Sequence, residues 1–138
     1  MLDTNICIYL MKHQPPQVGA RLDACNAGDV VLSAITLAEL RYGIECALLS
    51  RAHNELALTA LLDVIPAEPF GATATLPYAP IRYATRERKR DALDKLIAAH
   101  AVSLGATLVT NNEDDFRVYP GLRWENWVTG ASGGERNA

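Results

Sequence analysis

Residues 90–116 constrain the fold more than any other stretch of this chain. Leu93, Ile97, Ala101 and Leu104 recur every three or four positions, the spacing of a helix with one buried face, and Gly105 is a good terminator. The residues that follow, Ala106-Thr107-Leu108-Val109-Thr110, read as a short buried strand. Ala98, Ala99 and Ala101 are small enough to let the helix lie close against a sheet. The strand stops at the polar run Asn111-Asn112-Glu113-Asp114-Asp115-Phe116, expected as a loop at its carboxyl end, where ligands of open parallel sheets usually bind. Asp94 falls on the buried side of the preceding helix. Its plainer role is a solvated acid in the first turn, favourable to the helix dipole.

The 138 residues suffice for one domain with a real core, expected over 1–129, with the glycine-rich 130–138 as a frayed tail. Hydrophobic residues at 49% and charged residues at 21% match soluble globular proteins and argue against a disordered or membrane class. The opening Met1-Leu2-Asp3-Thr4-Asn5 has neither the basic region nor the cleavage site of a signal peptide, so a cytoplasmic location is expected. Cys7, Cys25 and Cys46 lack metal-site spacing and are expected as reduced, buried thiols. His13, His53 and His100 are scattered and are expected in packing or surface roles.

Read in order, Asp3 stands at a strand-to-helix junction and is either an N-cap or a site residue. A first helix over 6–11 ends at Pro15-Pro16, and a second covers 18–25. Val30 to Ser33 is a buried strand leading into a helix over 34–49. On that helix Ile35, Glu39, Tyr42 and Cys46 share a stripe that places the Glu39 carboxylate among apolar neighbours, where a charge needs a partner. The spacing also fits a capping box from Thr36 to Glu39. Beyond lie a helix over 51–62, a short strand at 64–66, a helix secure only over 81–89, and a final edge strand over 122–128.

Net charge is −3, yet six of the thirteen basic residues, Arg82, Arg86, Arg88, Lys89, Arg90 and Lys95, crowd one segment. Such a patch beside an acidic site suits a polyanion held by metal, and equally suits a solvated helix laced with ion pairs. Asp3, Glu39 and Asp94 each lie near the carboxyl edge of the sheet or on an adjoining helix. Two carboxylates about 4 Å apart repel by roughly 4 kcal/mol at an effective dielectric of 20, so their convergence calls for a cation. Oxygen ligands without histidine or thiolate point to Mg²⁺ or Mn²⁺, ions that acidify water and hold phosphate oxygens.

Met-Leu-Asp-Thr-Asn at the start, Ser33 to Gly43 (Ser-Ala-Ile-Thr-Leu-Ala-Glu-Leu-Arg-Tyr-Gly), Asp94 to Ala101 (Asp-Lys-Leu-Ile-Ala-Ala-His-Ala) and Thr107 to Asn112 (Thr-Leu-Val-Thr-Asn-Asn) together resemble the VapC-type toxins of the PIN-domain ribonuclease family. Pro120 to Trp127 resembles that family's closing strand. The resemblance implies an α/β fold, a single PIN-like domain with a parallel sheet flanked by helices, and Asp3, Glu39 and Asp94 as ligands of a divalent metal. Where the wider family often has a fourth acid, this chain has Asn112, with Asp115 three residues on as the alternative catalytic residue. Thr4 and Thr110 are candidates for positioning water or phosphate. Many relatives carry a Gly-Pro loop before the third acid, whereas here residues 86–91 are charged, so an altered substrate rim is expected, with Asp91 as an exposed ion-pair residue.

By the same resemblance the partners are an RNA substrate, a VapB-like antitoxin whose tail covers a groove formed by residues such as Ile8, Tyr9, Leu40 and Ile44, and a second copy in a homodimer, with no membrane. The leading expectation is therefore a Mg²⁺/Mn²⁺-dependent endoribonuclease toxin. The alternatives are a catalytically inactive module that keeps the fold and partner surface, and a metal-dependent phosphatase.

Overall fold

The computed structural model describes residues 1–134. Its strands are short, and the residue at the middle of the sheet belongs to no named strand. Leu2 pairs in parallel with Leu32 on one side and Val109 on the other. Strand β1 (Leu32–Ser33) continues to β2 (Ala67–Glu68), and β3 (Leu108–Val109) continues to β4 (Trp124–Glu125), both in parallel. The lateral order is thus β2, β1, Leu2, β3, β4, closed by the antiparallel β5 (Ser132–Gly133).

Alternation along these strands divides the core into two layers. Leu2, Leu32 and Val109 face Ile6, Cys7, Val18, Leu40, Leu58 and Leu61, from helices α1 (Thr4–Lys12), α2 (Pro16–Asp23), α3 (Ala34–Cys46) and α4 (Arg51–Val64). Met1 and Leu108 face Ile81, Ile97, Ala98 and Ala101, from α5 (Thr75–Ala84) and α6 (Ala92–Ser103), with Phe116, Tyr119 and Leu122 beyond. The expected helix feeding a central strand is present.

Several expectations shift. The α6 repeat buries Ile97 and Ala101, but Leu93 and Leu104 are half exposed, because the buried face is completed by Ala98, Ala99 and His100. His100 Nδ1 stands 2.7 Å from Ser33 Oγ, and its ring packs edge-on against Phe70. The strand expected at 64–66 lies at 67–68, with the Pro66 carbonyl accepting from Leu32 N. Helix α5 starts before Ile81 and ends at Ala84, since the carbonyls of Thr85 and Arg88 turn inward to the Lys95 ammonium, 3.1 Å from each. Lys95 is therefore interior and not part of a basic surface. Of the cysteines only Cys7 is buried; Cys25 is partly covered and Cys46 exposed, and all three are free.

The largest correction is at the carboxyl end. The strand expected at the edge, β4, is interior to the sheet, and the edge is β5, inside the stretch expected to fray. A Cβ on Gly133 would fall 2.6 Å from the Trp124 indole, so the small residues that resemble a loose tail are what close strand packing there requires. Residues 135–138 of that expected tail lie outside the described residues. Among the described residues no helix is long and apolar enough to cross a membrane.

Candidate active site

Asp3 follows the central rung of the sheet and is the N-cap of α1. Its Oδ1 accepts from Ile6 N at 3.0 Å. An N-cap and a site residue are thus the same residue here, and the carboxylate is only 4% exposed. Burial, with the nearby Glu39 charge adding to it, pushes the carboxyl up to about 6, against the pull of the Thr110 hydroxyl and the Ile6 amide.

Glu39 projects from the second turn of α3. The capping box with Thr36 does not form, because α3 is capped by Ser33, whose Oγ accepts from Ile35 N at 3.1 Å. Glu39 Oε1 instead accepts from the Thr4 hydroxyl at 2.8 Å, which ties α3 to the start of α1. The buried stripe of α3 is Thr36, Leu40 and Ile44; Tyr42 and Cys46 point outward, leaving Glu39 partly buried at the border. Asp94 lies in the first turn of α6. Burial and then the charges of Glu39, Asp115, Asp3 and Asp91 push it up to about 6.

These residues share one cavity of about 100 Å³, lined by Asp3, Thr4, Asn5, Glu39, Asp94, Ile97, Asn112 and Phe116. Four separate segments deliver its acids and its two amides, Asn5 and Asn112. Asn112 follows β3, its backbone N–H donating to Thr110 Oγ1 at 2.9 Å, and starts α7 (Glu113–Phe116), a helical turn where a loop was expected. Asp115 does not line the cavity. It stands behind Asn112, whose Nδ2 donates to Asp115 Oδ2 at 2.6 Å. Asp91, expected on the surface, is 8% exposed, paired with Lys95 at 2.9 Å and accepting from the Tyr119 hydroxyl at 2.7 Å. Burial alone would raise its carboxyl, but Tyr119 and Lys95 outweigh it and hold it below the ordinary value.

Asp3, Glu39 and Asp94, joined around the cavity by the amides of Asn5 and Asn112 and the Thr4 hydroxyl, form a hard-oxygen donor set suited to Mg²⁺ or Mn²⁺. Among the described residues no three acid, histidine or cysteine side chains stand close enough to enclose a bare ion. An ion held here would keep part of its water shell, as Mg²⁺ usually does.

Sequence reasoning missed the braces of the site. Asn126 Nδ2 donates to Asn111 Oδ1 at 3.1 Å and to Glu113 Oε1 at 2.8 Å, gripping the residues on either side of Asn112. Its only signal was its place in Glu-Asn-Trp, beside the closing strand. A second cavity, about 590 Å³, runs between α1, α3 and the start of α4, lined by Ile8, Met11, Leu40 and Ile44 with His53 at its rim. Glu39 lines both cavities, so the groove adjoins the acidic pocket at that side chain.

The PIN domain family matches residues 1–122, and the chain belongs to that family. Within it the chain is of the VapC type. It is 36% identical over 129 residues to the tRNA(fMet)-specific endonuclease VapC of Shigella flexneri, covering 92% of this chain and 96% of the relative. It is also 36% identical over 132 residues to ribonuclease VapC2 of Rickettsia felis, with the same coverage. The crystal structure of VapBC2 from Rickettsia felis, bound to a DNA fragment from their promoter, superposes with a TM-score of 0.83 at 34% identity, covering 92% of this chain and 97% of that one.

Proposed function

We propose that the protein is a divalent-metal-dependent endoribonuclease, the toxin of a toxin–antitoxin pair, and that Asp3, Glu39 and Asp94 hold its Mg²⁺ or Mn²⁺. The observation that carries this reading is the convergence of those acids with Asn112 in one cavity at the carboxyl edge of the sheet. The relatives named as RNA endonucleases, at 36% identity over most of their length, support it. The bound ion would supply Lewis acidity toward a phosphodiester oxygen and acidify a water. The chain's own part is positional. Thr4 fixes the Glu39 carboxylate, the Ile6 amide and Thr110 hydroxyl fix Asp3, and Ile97 and Phe116 form the apolar wall.

The groove beside α1 and α3 has the apolar lining that a VapB-like antitoxin tail would fill, and its junction at Glu39 lets such a tail reach the acids. Three of the expected residues, Ile8, Leu40 and Ile44, line it. The homodimer belongs to this reading as well, to be checked by sedimentation.

The test is incubation of purified, partner-free protein with total RNA and with tRNA(fMet), with Mg²⁺, Mn²⁺ or chelator. Defined fragments that appear with metal and vanish with chelator are expected. RNA bound but uncut under every condition would establish the inactive binding module instead.

A further inference from the structure

Asn112 occupies the corner of the pocket where a fourth acid would add negative charge, and its surroundings fix which end of its amide faces the cavity. An ionised carboxylate only accepts hydrogen bonds, so the 2.6 Å contact with Asp115 Oδ2 must be made by the NH₂ group. No protein donor among the described residues reaches the carbonyl Oδ1. The backbone is held at the same point, with Asn112 N on Thr110 Oγ1 and with Asn126 gripping Asn111 and Glu113.

Asp115 is itself held. Arg88 Nη1 donates to its carbonyl at 2.9 Å and lies 4.0 Å from its Oδ1, the oxygen turned away from Asn112. Arg88 comes from the charged segment 86–91. That segment is anchored from inside, since Lys95, next to Asp94 on α6, binds the Arg88 carbonyl, and Asp91 Oδ2 lies 3.9 Å from Arg88 Nη1.

We propose that Asn112 presents its side-chain carbonyl oxygen to the divalent ion as a neutral ligand, and that Asp115 and Arg88 act behind it as positioning residues. The inference rests on the reading of the carboxylate cavity as a divalent-ion site. It makes the amide at 112 a requirement of this chain's own rim, because a carboxylate there would face Asp115 at hydrogen-bond distance and repel it. The site then carries three ligand charges, not four.

The experiment measures Mn²⁺ binding by the electron paramagnetic resonance of the free ion, and cleavage rates in parallel, on the full chain. Asn112→Ala and Asp115→Ala are each expected to weaken Mn²⁺ binding by about 10- to 100-fold with little change in melting temperature. The double variant is expected to be no worse than Asn112→Ala alone, since Asp115 works only through that side chain. Asn112→Asp is expected to bind more weakly than the wild type, and Asp115→Asn in that background to restore binding by reversing the donor and acceptor. Additive losses in the double variant would make Asp115 a ligand in its own right and overturn the proposal, as would unchanged Mn²⁺ binding by Asn112→Ala. A wild-type protein that binds no Mn²⁺ would remove the ion-site reading, and this inference with it.

Discussion

Replacing Asp3 with asparagine is expected to abolish RNA cleavage and at the same time to make the ion-free protein more stable at neutral pH. The two effects have one origin. Asparagine caps a helix as well as aspartate does, so the bond to Ile6 N and the entry into α1 survive. What is lost is a negative ligand, and the loss of several kcal/mol of transition-state stabilisation corresponds to a rate lower by about 10³-fold. What is gained is relief from burying a charge. The Asp3 carboxyl lies at about 6 in the folded chain against 3.8 for the free group, so its contribution is fully present below pH 3.8 and is lost as pH rises through 6. The loss amounts to about 3 kcal/mol. Asp94 works in the same direction and by less, being more open to solvent. His100, held below its ordinary value by burial, works in the opposite direction over part of the window, so the diagnostic is the difference between wild type and variant, in which its contribution cancels. Urea denaturation in chelator at pH 5 and pH 7.5 should show the variant's advantage growing with pH, and added Mg²⁺ should erase it by stabilising the wild type. Unchanged cleavage by Asp3→Asn and Asp94→Asn would remove the assignment.

The second large effect is expected away from the acids. Lys95 is 5% exposed, its ammonium shared among the carbonyls of Thr85 and Arg88 and the Asp91 carboxylate. Lys95→Ala strands Asp91 inside the protein with Tyr119 and a distant Arg88, and frees both carbonyls. Breaking a buried pair from one side costs about 3 to 5 kcal/mol, a large part of the stability of an ordinary domain. Removing both charges, as in Lys95→Met with Asp91→Asn, should recover much of the loss. Denaturant midpoints of the single and double variants decide the matter; a cost below about 1 kcal/mol for Lys95→Ala would mean the ammonium is solvated after all.

That lysine also shows where sequence reasoning stops. The helix feeding β3 was legible from local periodicity, and the parallel sheet and the meeting of Asp3, Glu39 and Asp94 from the motifs that resemble the family, since each acid alone also had a plainer reading as a cap or a solvated residue. Lys95 was read as part of a basic patch although its i,i+4 spacing to Asp91 is visible, because the carbonyls ten and seven residues back that draw its ammonium inward are reported by no spacing rule. Thr36 was a plausible cap for Glu39 only so long as the competing cap, Ser33, was not known to take the Ile35 amide. Strand β5 has neither alternation nor branched residues, and its glycine is selected by the Trp124 ring across the strand pair. Asp115 and Asn112 were both visible, but their order, one lining the cavity and one behind it, is a property of a single helical turn that the run of acids did not announce.

The centre of the sheet is a lone residue caught between positions 32 and 109. A nascent chain leaving the ribosome can join Leu2 to Leu32 early, but the other flank waits until position 109 has emerged, and closing so long a loop is slow. Asp94 and Asn112 arrive in the same late interval. The pocket is therefore incomplete until that interval, although Thr4 and Glu39 can already have met.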